Sequence, residues 1–165
     1  MANFSFDVST GCDLQEVDNA VNQARKEIFQ RYDFKGVKVE LELDREAGVV
    51  SVDADDAYRL SAATEVLKGR MAARKVPLKN LHYDDVEQGG GGRARQTIRL
   101  QQGIPDDTAK KISKELRGLG LKKLQAQIQG DELRVSSPSK DTLQEAMNFL
   151  RGEDWGVELN FGNFR

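Results

Sequence analysis

The same order of elements is written twice in this chain, on either side of the run Gly89-Gly90-Gly91-Gly92. Each side reads strand, helix, strand, strand, helix, strand. Phe4, Phe6 and Val8 alternate with Ser5, Asp7 and Ser9, the period of a strand with one buried face. Asp13 stands where an N-cap is needed, and Leu14, Val17, Val21, Ala24 and Ile28 follow on one helical stripe. Val37, Val39, Leu41 and Leu43 then alternate with Lys38, Glu40, Glu42 and Asp44. A turn at Glu46-Ala47-Gly48 leads into Val50, Val52 and Ala54. Asp56 opens a helix with the stripe Leu60, Ala63, Leu67 and Met71; Pro77 ends it, and Leu81 to Val86 is a weak last strand. Beyond the glycines the series recurs. Ile98 and Leu100 share a face in the strand Thr97 to Gln101, and Pro105, Asp106 and Asp107 suit a helix start. Ala109, Ile112, Leu116 and Leu119 form the stripe. Leu124, Ala126 and Ile128 alternate with Gln125, Gln127 and Gln129, and Gly130-Asp131 turns into Leu133 and Val135. Ser139 opens a helix with Leu143, Ala146, Met147 and Leu150 buried, and Val157 to Phe161 closes the series.

This order predicts an α+β fold of two tandem ferredoxin-like βαββαβ domains. Each would be an antiparallel four-stranded sheet with two helices on one face. The expected boundaries are 1–88 for the first domain, 89–93 for a Gly-rich linker and 94–165 for the second. A second place is open to the N-terminal strand, in the sheet of the second domain. Domains of this size sit near the lower limit for independent stability.

The net charge of −2 hides an asymmetry. Residues 1–88 hold 12 Lys and Arg against 17 Asp and Glu, whereas residues 89–165 hold 13 against 10. The out-pointing strand residues follow suit. In the first half they are Ser5, Asp7, Lys38, Glu40, Glu42, Asp44, Ser51 and Asp53, an acidic face that repels phosphodiesters. In the second they are Thr97, Arg99, Gln101, Gln125, Gln127, Gln129, Arg134 and Ser136, a face suited to phosphate oxygens and base edges. Either face could equally turn to water, or the two could approach each other. Neither holds the aromatics on which sheets of this kind stack bases.

Two segments are unusual. Arg31-Tyr32-Asp33-Phe34-Lys35-Gly36 gathers two cations, a carboxylate and two aromatics in one helix-to-strand turn. Arg31 and Lys35 could grip phosphate while Tyr32 or Phe34 stacks a base; the same residues also suit an ordinary helix C-terminus. In Gly89 to Gln96, backbone N–H groups could form an anion nest beside Arg93 and Arg95, or the glycines could be a flexible linker. It is no P-loop, because no Gly-Lys-Ser/Thr follows. The ending Asn160 to Arg165 places Phe161 and Phe164 where they could plug the core or offer a platform.

Catalytic constellations are missing. His82 is the lone histidine and Cys12 the lone cysteine, too little for a His-based metal site, a disulfide or a thiol enzyme. No cofactor motif is present. The N-terminus Met1-Ala2-Asn3-Phe4 lacks a signal peptide's features and no apolar run spans a membrane, so a cytoplasmic protein with no membrane partner is expected.

Taken in order, SFDVS, DLQEVDNAVNQARKEI, RYDFKG, GGRARQ with QGI beyond it, and NFGNFR resemble the YajQ family over nearly the whole chain. The extra glycines before Arg93 and Gly162 inside the last motif are small departures. The resemblance implies tandem ferredoxin-like, RNA-recognition-motif-like domains in a bacterial nucleotide-binding protein. Members are linked to nucleotides, to RNA and in some cases to cyclic di-GMP. The expected function is a non-enzymatic regulator that binds cyclic di-GMP, GTP or ATP near the interdomain cleft. Arg31, Lys35, Arg93 and Arg95 would meet phosphates, Tyr32 or Phe34 would stack a base, and a transcription regulator or another protein would read the signal. The alternatives are an RNA or DNA binder using Arg99 and Arg134 of the basic second domain, and a protein-interaction module.

Overall fold

The computed structural model describes residues 3–165; the leaderless reading of Met1 and Ala2 lies outside them. The chain forms two units, each with its own sheet, its own pair of helices and its own core. One unit is residues 12–101. The other joins residues 3–11 to residues 102–165.

The continuous unit holds α1 (Leu14–Gln30), β2 (Val39–Asp44), β3 (Val49–Ala54), α2 (Ala57–Ala73), β4 (Leu81–Tyr83), β5 (Glu87–Gln88) and β6 (Ala94–Leu100). Its sheet runs β2-β3-β6-β4, with β5 also pairing β6. Asp13 caps α1 by accepting from the Gln15 N–H at 2.9 Å, and Asp56 caps α2 by accepting from the Arg59 N–H at 2.7 Å. Such caps typically stabilise a helix by about 1 kcal/mol. The stripes then bury Val17, Val21, Ala24 and Ile28 of α1, and Leu60, Ala63, Leu67 and Met71 of α2, against Leu41, Val50, Val52 and Ile98. Arg74 reaches Glu16 at 2.7 Å, and Arg70 reaches Glu27, tying the two helices along their outer edge.

The split unit holds β1 (Phe4–Ser9), α3 (Asp106–Gly118), β7 (Gln125–Gln129), β8 (Glu132–Ser137), α4 (Lys140–Gly152) and β9 (Asn160–Gly162). Its sheet order is β7-β8-β1-β9. Phe6 and Val8 are fully buried against Ile112, Leu116, Leu133, Val135 and Leu150. The terminal motif docks through Phe161, which packs on this core, while Phe164 stays 64% exposed. Phe161 meets Phe6 edge-on at 5.8 Å, and Arg165 exchanges backbone hydrogen bonds with Ser5 at 3.0 and 3.1 Å.

Both sheets have the ferredoxin-like order, but the chain is not cut where the sequence suggested. β1 takes the second of the two places open to it, inside the sheet of the C-terminal residues, paired with β8 and β9. β6 lies inside the sheet of the preceding residues, paired with β3 and β4. The continuous unit is therefore inserted after β1 of the other, and its own central strand comes last in sequence. The expected boundaries at 88 and 94 fall within it. The Gly-rich run is correspondingly no interdomain linker but the loop of the β5–β6 hairpin, where the Gly89 N–H donates to the Arg93 carbonyl at 2.6 Å. Gly91 and Gly92 take φ of 68° and 81° there, a region open to glycine and strained for other residues. The physical reason for the difference is that alternation marks a strand without naming its partner. Neighbouring strands are the default assumption, and this chain departs from it twice.

Candidate functional site

The strand exchange redistributes the charges. On the open face of the continuous unit, Glu40 lies opposite Asp53 and Asp53 opposite Arg95, while Val49 lies opposite Arg99. Arg95, Thr97 and Arg99 thus stand beside the acidic strands instead of building a cationic sheet with the glutamines. In the split unit, Asp7 lies opposite Arg134 on the open face beside Gln127. The expected contrast between an acidic and a basic sheet is not formed. Arg99 and Arg134 lie on different sheets, and each has a carboxylate: Arg99 reaches Asp84 at 2.9 Å, and Arg134 reaches Asp7 at 2.9 Å. Hydrogen bonds from Arg134 and Asn163 hold the Asp7 carboxyl below its ordinary range.

The two hallmark motifs do converge. Val39 at the start of β2 pairs with Ala54 at the end of β3, which pairs with Ala94 at the start of β6. The Arg31–Gly36 turn and the Gly89–Arg93 loop therefore sit at the same end of one sheet. Asp55 links them further, accepting from the Lys38 N–H at 3.1 Å and from the Arg93 guanidinium at 2.8 Å.

Most of the cations at this end serve the fold. Arg93 is held between Asp55 and Asp53, and the Asp53 hydrogen bond raises its pKa above the ordinary value. The small hollow of about 180 Å³ behind the glycine loop is lined by Asp53 and Glu87 as well as by Arg93 and Arg95. Carboxylates cancel cations there, so the loop is a poor anion nest. Arg31 pairs with Asp33 at 2.7 Å and lies 5.3 Å from the Phe34 ring centre. The Asp33 hydrogen bond raises the Arg31 pKa and lowers that of Asp33. Phe34 is buried, so its ring faces are not free for a base; this corrects its expected part as an open stacking platform. Tyr32 is 89% exposed. Lys35 and Arg95 have no carboxylate partner among the described residues.

One concavity at this end has room for a ligand. A groove of about 530 Å³ runs between α1 and β2, lined by Arg25, Ile28, Phe29, Phe34, Lys35, Gly36, Val37, Val39 and Leu41. That volume falls within the usual range of small-molecule sites. Its only charged lining residues are Arg25 and Lys35, both cationic. Arg25 donates to the Leu41 carbonyl at 2.9 Å and to Asn22 at 2.9 Å, and among the described residues no carboxylate pairs with it. Phe29 is 92% exposed. Nearby at the start of α2, Arg59 stacks 5.1 Å over the largely exposed ring of Tyr58.

Arg25, Phe29 and Tyr58 were not singled out from sequence. A signal for them exists: Phe29 and Tyr58 are large aromatics off their helices' buried stripes, and Arg25 precedes Phe29 by one turn on the same face. Cys12 is buried, which pushes its thiol up to about 11 and leaves it unreactive at neutral pH. Among the described residues no His, Cys, Asp and Glu cluster could hold a metal, and no helix is long and apolar enough to cross a membrane.

Two ferredoxin-like units with polar open sheets and a cation-lined groove define a small ligand-binding α+β protein. The sequence model of the YajQ-like nucleotide-binding proteins matches residues 4–165. A protein of Magnetococcus marinus named as a nucleotide-binding protein is 48% identical over 161 residues, 98% of both chains. Namesakes from Carboxydothermus hydrogenoformans and Koribacter versatilis are 45% and 44% identical over 99% or more of each chain. The chain belongs to the YajQ family.

Proposed function

We propose that this chain is a non-enzymatic, cytoplasmic nucleotide receptor whose site is the groove between α1 and β2. The single observation that supports it best is the groove's lining: apolar walls with an exposed ring at Phe29, and only cations, Arg25 and Lys35, for charge. A nucleotide needs both parts, a flat apolar surface for the base and unneutralised donors for the phosphate. Lys35 meets the phosphate as a flexible point charge. Arg25 can turn part of its guanidinium toward it while still donating to the Leu41 carbonyl. Tyr32, exposed at the same end of the sheet, extends the site for a second nucleotide moiety. Family resemblance makes cyclic di-GMP the first ligand to try, with GTP and ATP beside it. Calorimetry with the three tests the reading: saturable heat lost in Lys35→Ala supports it, and no heat at tens of micromolar protein removes it.

A second reading has its own observation. Tyr32 and Tyr58 expose their rings beside Arg31 and Arg59, an arrangement that also suits stacked bases of single-stranded RNA. Its mark is an affinity that falls steeply with added salt, because each phosphate contact releases counterions.

A further inference from the structure

The outer edge of the split unit's sheet is unprotected in a way that points to a partner. Among the described residues β7 is an edge strand, bonded only to β8. Natural edges are usually guarded by charge, proline or a bulge. β7 reads Gln125-Ala126-Gln127-Ile128-Gln129, with none of these. Ile128 is 44% exposed, on the face that carries the helices. The turn to β8 has two residues, Gly130 and Asp131, which makes Gln129 and Glu132 the closing hydrogen-bonded pair. The alternation that follows directs the backbone N–H and C=O groups of Gln125, Gln127 and Gln129 toward β8. Those of Ala126 and Ile128 point outward.

We infer that this edge pairs with β7 of a second copy of this chain, antiparallel, about a two-fold axis at Gln127. The segment is complementary to its own reverse. With Gln127 opposite Gln127, Ala126 falls opposite Ile128, small against large, on the helix-bearing face. Gln125 falls opposite Gln129 on the other, a run of uncharged side chains able to bond one another. The outward backbone groups of Ala126 and Ile128 then form the two hydrogen-bonded pairs, so every polar group of the edge finds a partner. Charge agrees with this register. Lys122 and Lys123 precede the strand, Asp131 and Glu132 follow it, and antiparallel pairing sets the basic end of each copy against the acidic end of the other. None of the four forms a salt bridge among the described residues. The result is one eight-stranded sheet crossing the axis, an isologous interface. Five residues a side cover less than a standard interface, so the dimer is weak and concentration-dependent.

Sedimentation equilibrium of the full chain across a wide concentration range tests this, together with two cysteine variants. The wild-type average mass should climb toward that of a dimer, and Ile128→Lys should hold it at the monomer without lowering Tm, since that side chain is exposed. Gln127→Cys places two thiols across the axis at a non-hydrogen-bonded pair, about 4.5 Å between Cα atoms and within reach of a disulfide. Gln125→Cys places them about 13 Å apart. Under mild oxidation Gln127→Cys should cross-link to dimer at least about tenfold faster than Gln125→Cys; buried Cys12 stays out of the reaction. A wild-type monomer at every concentration would overturn the inference, as would equal cross-linking of the two variants or undiminished dimer in Ile128→Lys.

Discussion

Arg93 and Lys35 both sit in hallmark motifs, yet their surroundings differ, and on the proposed reading so do their tasks. Arg93 lies between Asp53 and Asp55 and keeps two carboxylates from facing each other. Lys35 has no such partner and lines the groove. Arg93→Ala should therefore lower Tm while leaving nucleotide affinity within about twofold, and Lys35→Ala should do the reverse, losing about tenfold in affinity. Calorimetry and thermal melts on both variants check this. Asp7 gives a pH signature. Its folded pKa is depressed by Arg134 and Asn163, so its stabilisation is present above the unfolded value and is lost as pH falls through the folded one. As pH falls below the ordinary carboxylate range, the wild type should lose more stability than Asp7→Asn, read from urea midpoints. Parallel loss in the two would show that the Asp7 carboxylate contributes nothing.

Elements were legible where side-chain period decides them. All four helices, the caps at Asp13, Asp56 and Ser139, and the hairpin turn at Gly130 follow from spacing and local chemistry. Strand partners were not, because β1 and β6 alternate alike and nothing local tells either which sheet to enter. The site reading depends on this: Arg99 shares a face with Arg134 only if β6 joins the C-terminal sheet, and β6 pairs with β3 and β4 instead. The Arg31–Gly36 turn was located, but the groove beside it depends on Phe29, which periodicity discards as an off-stripe residue. The connection after β6 offers a test of how tightly loops here are built. A side chain at Gly103 would lie 2.6 Å from Asp131 Cβ, beneath the turn where the Ile104 N–H donates to the Asp131 carbonyl at 3.0 Å. Gly103→Ala should cost about 1–3 kcal/mol in urea denaturation, and a neutral effect would show that the turn yields freely.

The whole molecule is one unit threaded through the sequence of another, and the proposed site lies in the inserted part. Because β6 supplies the central strand of that part, a fragment of residues 12–101 should fold, giving cooperative melting and dispersed amide resonances. A fragment of residues 1–88, which matches the apparent repeat, should not. Folding of the second without the first would show that the strand order is wrong. The central claim is that a nucleotide occupies the α1–β2 groove. Its most direct test is a ¹⁵N-resolved titration of the full chain with cyclic di-GMP, GTP and ATP. For the nucleotide that binds, amide shifts should centre on Phe29, residues 31–36 and Val39, and should vanish in Lys35→Ala. Saturable shifts centred instead on the glutamine-rich sheet of the split unit, or unchanged by Lys35→Ala, would contradict it.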